Sequence, residues 1–147
     1  AGQKQVIRTG KLFGVDWKIK MDSYHPGRAI VDLKVVKDFA PVYKEGEGRL
    51  GFVEAWGYDL QGAVYQAVEG DKLPFFLAAA TKEPVTDFEV FRLGQSMLDA
   101  ALAVAGATVE RFAGLKEGLG EPVRCERCDY CKQTKVLDHV TDWEGVE

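Results

Sequence analysis

KLFGVDWKIKMDSYHPGRAIVDLKVV, residues 11–36, decides how the rest of the chain is read. From Lys11 to Asp22 the residues alternate. Phe13, Val15, Trp17, Ile19 and Met21 share one face, and Lys18, Lys20 and Asp22 share the other, which is the period of a half-buried strand. Ser23 to Gly27, with Pro26 and Gly27 in succession, predicts a turn. Ala29 to Val36 is rich in β-branched residues and apolar on both faces, which predicts a central strand. The two strands and their short connection form a hairpin.

Outward from that hairpin, residues 38–50 read as a loop, with Pro41, Gly46 and Gly48 within them and Gly51 following. From Trp56 to Glu69 the period becomes helical, with Leu60, Val64 and Val68 on one stripe and Gln61 and Tyr65 beside it. Leu73 to Thr81 predicts a buried strand, and Phe88 to Phe91 a short one. Gly94 to Leu115 predicts a long helix with Leu98, Leu102, Ala105, Val109 and Phe112 on one face. Trp17, Trp56 and Phe75 are expected in the core, and His25 in the turn, facing solvent or a ligand. This order predicts an α/β (α+β) fold, a mixed central sheet flanked by helices. Residues 1–120 are expected to form the core, with a cysteine-bearing tail, residues 121–147, packed on it. The polar opening stretch, Ala1 to Gly10, reads as a strand edge and as the start of a fragment.

A chain of 147 residues, 46% hydrophobic and 29% charged, fits one globular domain. No apolar run is long enough to span a bilayer and no basic-then-apolar leader opens the chain, so a cytoplasmic protein without membrane contact is expected. The net charge of −4 argues against a nucleic-acid partner, but its distribution is uneven. Residues 1–37 carry eight Lys and Arg against three Asp, leaving −9 for the remainder. Such a basic segment grips phosphates or simply decorates a solvated strand edge.

The chemistry concentrates at Asp32 and Lys34, two apart on a strand and so on one face. Asp22, at the end of the partner strand, is brought near Asp32 by the hairpin. A carboxylate and an ammonium inside "IVDLKVV" are costly unless they pair or bind an ion. Two close carboxylates suit Mg²⁺ or Mn²⁺, and Lys34 would then orient water or meet charge on a phosphate. The bland alternative is an ion pair across a hairpin. Gln61 and Tyr65, four apart on a helix, are neighbours that would support such a site, or a surface Gln above a core Tyr. Cys125, Cys128 and Cys131 have the spacing of ligands for a soft metal or an iron–sulfur cluster, and His139 would close a zinc site; the alternative is three packed thiols.

"KIKMDSYHPGRAIVDLKVVKDF" followed by "WGYDLQGAVYQAV" resembles the nuclease core of the RecE/RecB-type branch of PD-(D/E)xK enzymes. That pattern is an Asp, a (D/E)-x-K one strand later and a Q-x-x-x-Y on the next helix, matched here by Asp22, Asp32/Lys34 and Gln61/Tyr65. "LPFFLAAATKE" and "CERCDYC" are similar to exonuclease VIII-like proteins of phages and bacteria. The resemblance implies a restriction-endonuclease-like core and Mg²⁺-dependent hydrolysis of DNA. It further implies 5′ to 3′ resection of duplex ends for recombination, a single-strand annealing partner and a ring-shaped homo-oligomer. By position, Asp22, Asp32 and the Leu33 carbonyl would hold metal, Lys34 would be the catalytic lysine, and Gln61 and Tyr65 would support the site and contact DNA. It also implies a [4Fe–4S] cluster on the three cysteines with a fourth from upstream, which this chain lacks. The family's acidic residue on a helix before the first core strand is missing too, since only Asp16 precedes Asp22. Weak metal binding and slow cleavage by this chain alone are therefore expected. The rival readings are a non-catalytic nuclease-like module that binds DNA or protein, and a structure-specific endonuclease.

Overall fold

The computed structural model of the chain describes residues 1–138, 140, 142 and 143. The chain divides into two compact units, Ala1–Ala113 and Gly114–Glu147. The first unit contains β1 (Gln3–Leu12), β2 (Val15–His25), β3 (Ala29–Val36), β4 (Val42–Lys44), β5 (Gly48–Leu50), α1 (Phe52–Ala55), α2 (Tyr58–Glu69), β6 (Phe75–Thr81), β7 (Phe88–Arg92) and nearly all of α3 (Gln95–Lys116). The second contains the end of α3 and α4 (Asp129–Gln133). No helix among the described residues is long and apolar enough to cross a membrane.

Five strands form one sheet in the order β1-β2-β3-β6-β7. The β3–β6 pair is parallel and the other pairs are antiparallel, so the sheet is mixed, with β3 at its centre. A parallel neighbour requires a crossover, which α1 and α2 supply. The core lies on one face of the sheet, where Ile19, Met21, Ile30, Phe75 and Leu77 meet Ala63 and Val64 of α2 and Leu98 of α3. On the opposite face Leu33, Val35, Phe88 and Val90 are each more than half exposed and line a shallow apolar groove.

Several expectations are corrected. The opening stretch is a full strand, since β1 pairs with β2 along its length. Phe13 and Gly14 form its two-residue turn, with φ of 53° and 76°, the doubly positive geometry that suits the twist of a hairpin. Phe13 therefore leaves the strand and lays its ring against Gly106 of α3, where an added Cβ would stand 2.7 Å from it. Strand β2 runs on through Ser23 and Tyr24 to His25, because these residues pair with β3, and the turn is confined to Pro26–Arg28. His25 ends the strand, half-buried, with Nε2 3.2 Å from Ser23 Oγ. The segment 38–50 holds the small β4–β5 hairpin.

The apolar stripes are rotated from their predicted positions. Leu60 is partly exposed, Phe112 is more than half exposed, and Trp56 is 59% exposed, not core. In α2 the buried set includes Gln66 and Glu69. Gln66 Nε2 donates to the Leu73 carbonyl at 2.9 Å, and Glu69 Oε1 accepts from the Tyr24 hydroxyl at 2.8 Å. These bonds offset the cost of burying polar groups and turn α2 so that Leu60, on the predicted stripe, faces water.

Gly62 has a specific reason to be glycine. A Cβ there would lie 2.8 Å from the Phe75 ring and 3.1 Å from Leu98, so α2 approaches β6 and α3 more closely than any side chain allows. Gly62→Ala is expected to lower unfolding free energy by about 1–3 kcal/mol, the usual cost of overpacking, despite alanine's better helix propensity. Urea denaturation of the two proteins measures this, and equal midpoints would show that the contact is not tight.

Candidate active site

The site forms where β2 and β3 part. Their ladder pairs Ser23 with Val31, Tyr24 with Ile30 and His25 with Ala29, then stops. The next position would set Asp22 opposite Asp32. There the Leu33 N–H donates to Asp22 Oδ2 at 2.9 Å, so a side chain takes the place of a backbone acceptor. The strands separate, and the gap holds the carboxylates.

Strict alternation would place Asp22 with Lys18 and Lys20, away from the core. A local distortion prevents this. Gln5, beside Asp22 on β1, has φ of 54°, a left-handed conformation that L-residues adopt at a cost of about 1–2 kcal/mol. Inward-facing residues on β2 pass from Ile19 and Met21 to Tyr24, which reaches Glu69 of α2. The side-chain pattern thus slips by one across Asp22, as at a bulge. Asp22 now meets Asp32 carboxylate to carboxylate, and Gln5 Nε2 donates to Asp22 Oδ1 at 3.0 Å.

Asp32 is only 2% exposed. Gln61 Nε2 on α2 donates to its Oδ1 at 2.9 Å, and Lys34 Nζ lies 2.5 Å from its Oδ2. Lys34 holds that Oδ2 in a close ion pair, and the carboxylate also faces Asp22. Lys34 Nζ also stands 5.3 Å from the centre of the Tyr58 ring, one turn before Gln61. Tyr65 packs edge-on against Phe75 at 6.2 Å and joins the core.

Burial pushes the Asp32 carboxyl above the ordinary range, against the pull of Lys34 and helped by neighbouring Asp22. For Asp22, partial burial raises the carboxyl, but the Leu33 amide, the Gln5 amide and Lys34 together hold it below that range. Two adjacent carboxylates held in opposite senses, one of them almost wholly buried, fit a small oxygen-seeking dication. In an extended strand a residue's N–H and C=O point to the same side, so the Leu33 carbonyl is aimed toward Asp22 as well. Among the described residues no third carboxylate or imidazole joins the pair. Asp16 pairs with Lys11 at 3.3 Å, six residues or about 20 Å along β2 from Asp22.

The basic residues of the opening segment do not share one surface. Arg8 turns inward to Tyr24 and Glu69, at 3.0 and 3.7 Å, while Lys18 and Lys20 are exposed.

Of the residues singled out in the sequence, Asp22, Asp32, Leu33, Lys34 and Gln61 come together, and Tyr65 lies a turn behind. Tyr58 and Gln5 were missed. Tyr58 had a signal, since it precedes Gln61 by three on the same helix face. Gln5 had none, because its role follows from one unusual dihedral angle.

In the second unit Cys125, Cys128 and Cys131 stand with their sulfurs all within 4.8 Å of one another. Amides of Arg127 and Cys128 directed at Cys125 bring its thiol down to about 6. His139 lies outside the described residues.

Residues 1–134 match the family described as PDDEXK-like domain of unknown function (DUF3799). Among solved structures, the chain is similar to the crystal structure of a candidate exonuclease from Eubacterium rectale, with 47% identity and a TM-score of 0.85 over 97% of this chain. The alignment covers 55% of that protein, so the chain spans about half its length. No curated protein matches the chain. With the parted strands, the Asp22–Asp32–Lys34 cluster and a family match over nearly its whole length, the chain belongs to the PDDEXK-like family DUF3799.

Proposed function

We propose that this chain is the catalytic core of a divalent-metal-dependent DNA exonuclease that hydrolyses phosphodiester bonds at the ends of linear duplex. The observation that carries the reading is Asp32. It is a buried carboxylate fixed by Gln61 and Lys34 and facing a second carboxylate, Asp22. A structural ion pair has no need of the second carboxylate.

In this reading Asp22, Asp32 and the Leu33 carbonyl would hold Mg²⁺ or Mn²⁺, which supplies Lewis-acid activation of a phosphate oxygen and a more acidic water. Gln61 keeps Asp32 in one orientation. The Leu33 amide and Gln5 do the same for Asp22 and keep it ionised. Lys34, which stands against Asp32, would place its ammonium where charge grows on the phosphate. The Tyr58 face supports that ammonium. Tyr65 steadies the helix on Phe75. The reading extends to 5′ to 3′ resection in recombination, with a single-strand annealing protein as partner and a ring-shaped oligomer around the duplex.

Asp32→Ala is expected to abolish Mg²⁺- or Mn²⁺-dependent loss of linear duplex, and Lys34→Ala to slow it by at least about 100-fold. Both should keep the parent circular dichroism spectrum, and covalently closed circular duplex should survive. Normal digestion of linear DNA by both variants overturns the assignment, and equal cleavage of closed circles converts it to an endonuclease.

Stability in chelator gives a second prediction. The folded chain holds the Asp32 proton at pH values where the unfolded chain has lost it, so this group's contribution falls as pH rises above the ordinary Asp range. Asp22 acts oppositely, adding stability above that range that is lost as pH falls through its lowered pKa. Asp32→Asn removes the first contribution and leaves the second. The variant should exceed the parent in urea midpoint at neutral pH, with the advantage shrinking toward about pH 4. A variant weaker at every pH would show that ionised Asp32 is net stabilising without metal.

A further inference from the structure

We propose that Cys125, Cys128 and Cys131 are three ligands of a single tetrahedral Zn²⁺ ion, and that the site is not built for an iron–sulfur cubane. The inference concerns the second unit alone and stands independently of the nuclease reading.

Sulfur spacing decides the metal. Two thiolates on one tetrahedral zinc, each about 2.3 Å from it, stand roughly 3.8 Å apart. Cys125 Sγ and Cys131 Sγ are separated by 3.8 Å, and all three sulfurs fall within 4.8 Å. In a cubane each thiolate binds a different iron and points outward from its own corner, so the sulfurs must stand farther apart than ligands of one ion. The same spacing excludes a disulfide, which needs sulfurs about 2.05 Å apart, and all three cysteines are free.

The backbone is arranged for thiolates. The Cys128 N–H is directed at Cys125 Sγ at 3.4 Å. Glu126, between them, has φ of 59°, which folds the chain back around the first sulfur. Cys131 sits in the first turn of α4, so the third sulfur returns over the other two. Arg124 closes the segment, donating to the Cys131 carbonyl at 2.7 Å and to Thr134 Oγ1 at 3.0 Å. Three thiolates on a dication leave one negative charge, and Arg124, Arg127, Lys132 and Lys135 lie within the same short stretch.

A need for the ion is also visible. From Lys116 to Asp138, Cys131 is the single buried residue. A segment with no apolar core does not hold a fixed turn by packing, and a structural metal is the usual substitute. The three cysteines supply three of the four positions of a tetrahedral site.

The test uses the full chain, purified from cells supplied with both zinc and iron, then stripped and titrated with Co²⁺ under reducing conditions. Elemental analysis should find about one zinc per chain and no acid-labile sulfide. Co²⁺ should give tetrahedral d–d bands with sulfur-to-cobalt charge transfer, which added Zn²⁺ erases. Cys125→Ser and Cys128→Ser should each weaken Co²⁺ binding more than about tenfold, whereas Asp32→Ala should leave the spectrum unchanged. Stoichiometric iron with sulfide overturns the proposal, as does the absence of thiolate–cobalt absorption in the reduced parent chain. The parent spectrum decides the matter even if the serine variants fold poorly.

Discussion

The Leu33 amide donates to the Asp22 carboxylate at the point where the β2–β3 ladder would have continued, and the pocket exists because of that exchange. A backbone donor in a sheet must find an acceptor. Here a side chain supplies it, which lets the strands part without leaving an orphan. A continuous ladder would fill the space between Asp22 and Asp32, and a parted ladder without the carboxylate would strand the Leu33 N–H. The left-handed backbone at Gln5 belongs to the same solution, since it turns Asp22 toward Asp32 and places an amide on its other oxygen.

Around that gap the fold supports a charge the core would otherwise reject. Ionised Asp32 among Ile30, Phe75 and Leu77 is held by Gln61 and Lys34, both fixed by regular elements. The close seating of α2 over Phe75, permitted by Gly62, sets how far Gln61 reaches. Helix position and carboxylate position are thus one constraint. The Tyr24–Glu69–Arg8 network fastens the other end of α2 to β1 and β2.

Much of this was legible in residues 11–36. Period-two alternation and β-branched content placed β2 and β3, and Asp32 and Lys34 were conspicuous as charges inside a buried strand. Gln61 followed from helical spacing. What alternation concealed was the face of Asp22. The pattern grouped it with Lys18 and Lys20, and the dihedral angle of Gln5 that reverses this has no sequence signature. Leu60 was misplaced for a different reason: hydrophobicity counts apolar residues, whereas α2 was rotated by the partners of buried Gln66 and Glu69. The strand β1 was hidden by its polarity, and it is recognised by what it pairs with. At the cysteines the spacing left the metal open, and only three-dimensional separation of the sulfurs separates one ion from a cluster.

The bare outer face of the sheet gives strand β3 a property beyond its placement of Asp32. Its even-numbered side chains meet the reactive gap and helix α2, while Leu33 and Val35 look out through an oily surface. The two sets differ by a single step along the backbone. Removing one residue from the Pro26–Arg28 turn would offer the chain a frame-shifted strand, with leucine and valine welcome inside and the charges equally welcome outside. The neighbouring parallel strand, its Ile30–Phe75 to Val36–Thr81 register set by the crossover, is what forbids that trade. Variation in turn length should therefore be far rarer at this hairpin than at the β4–β5 tip.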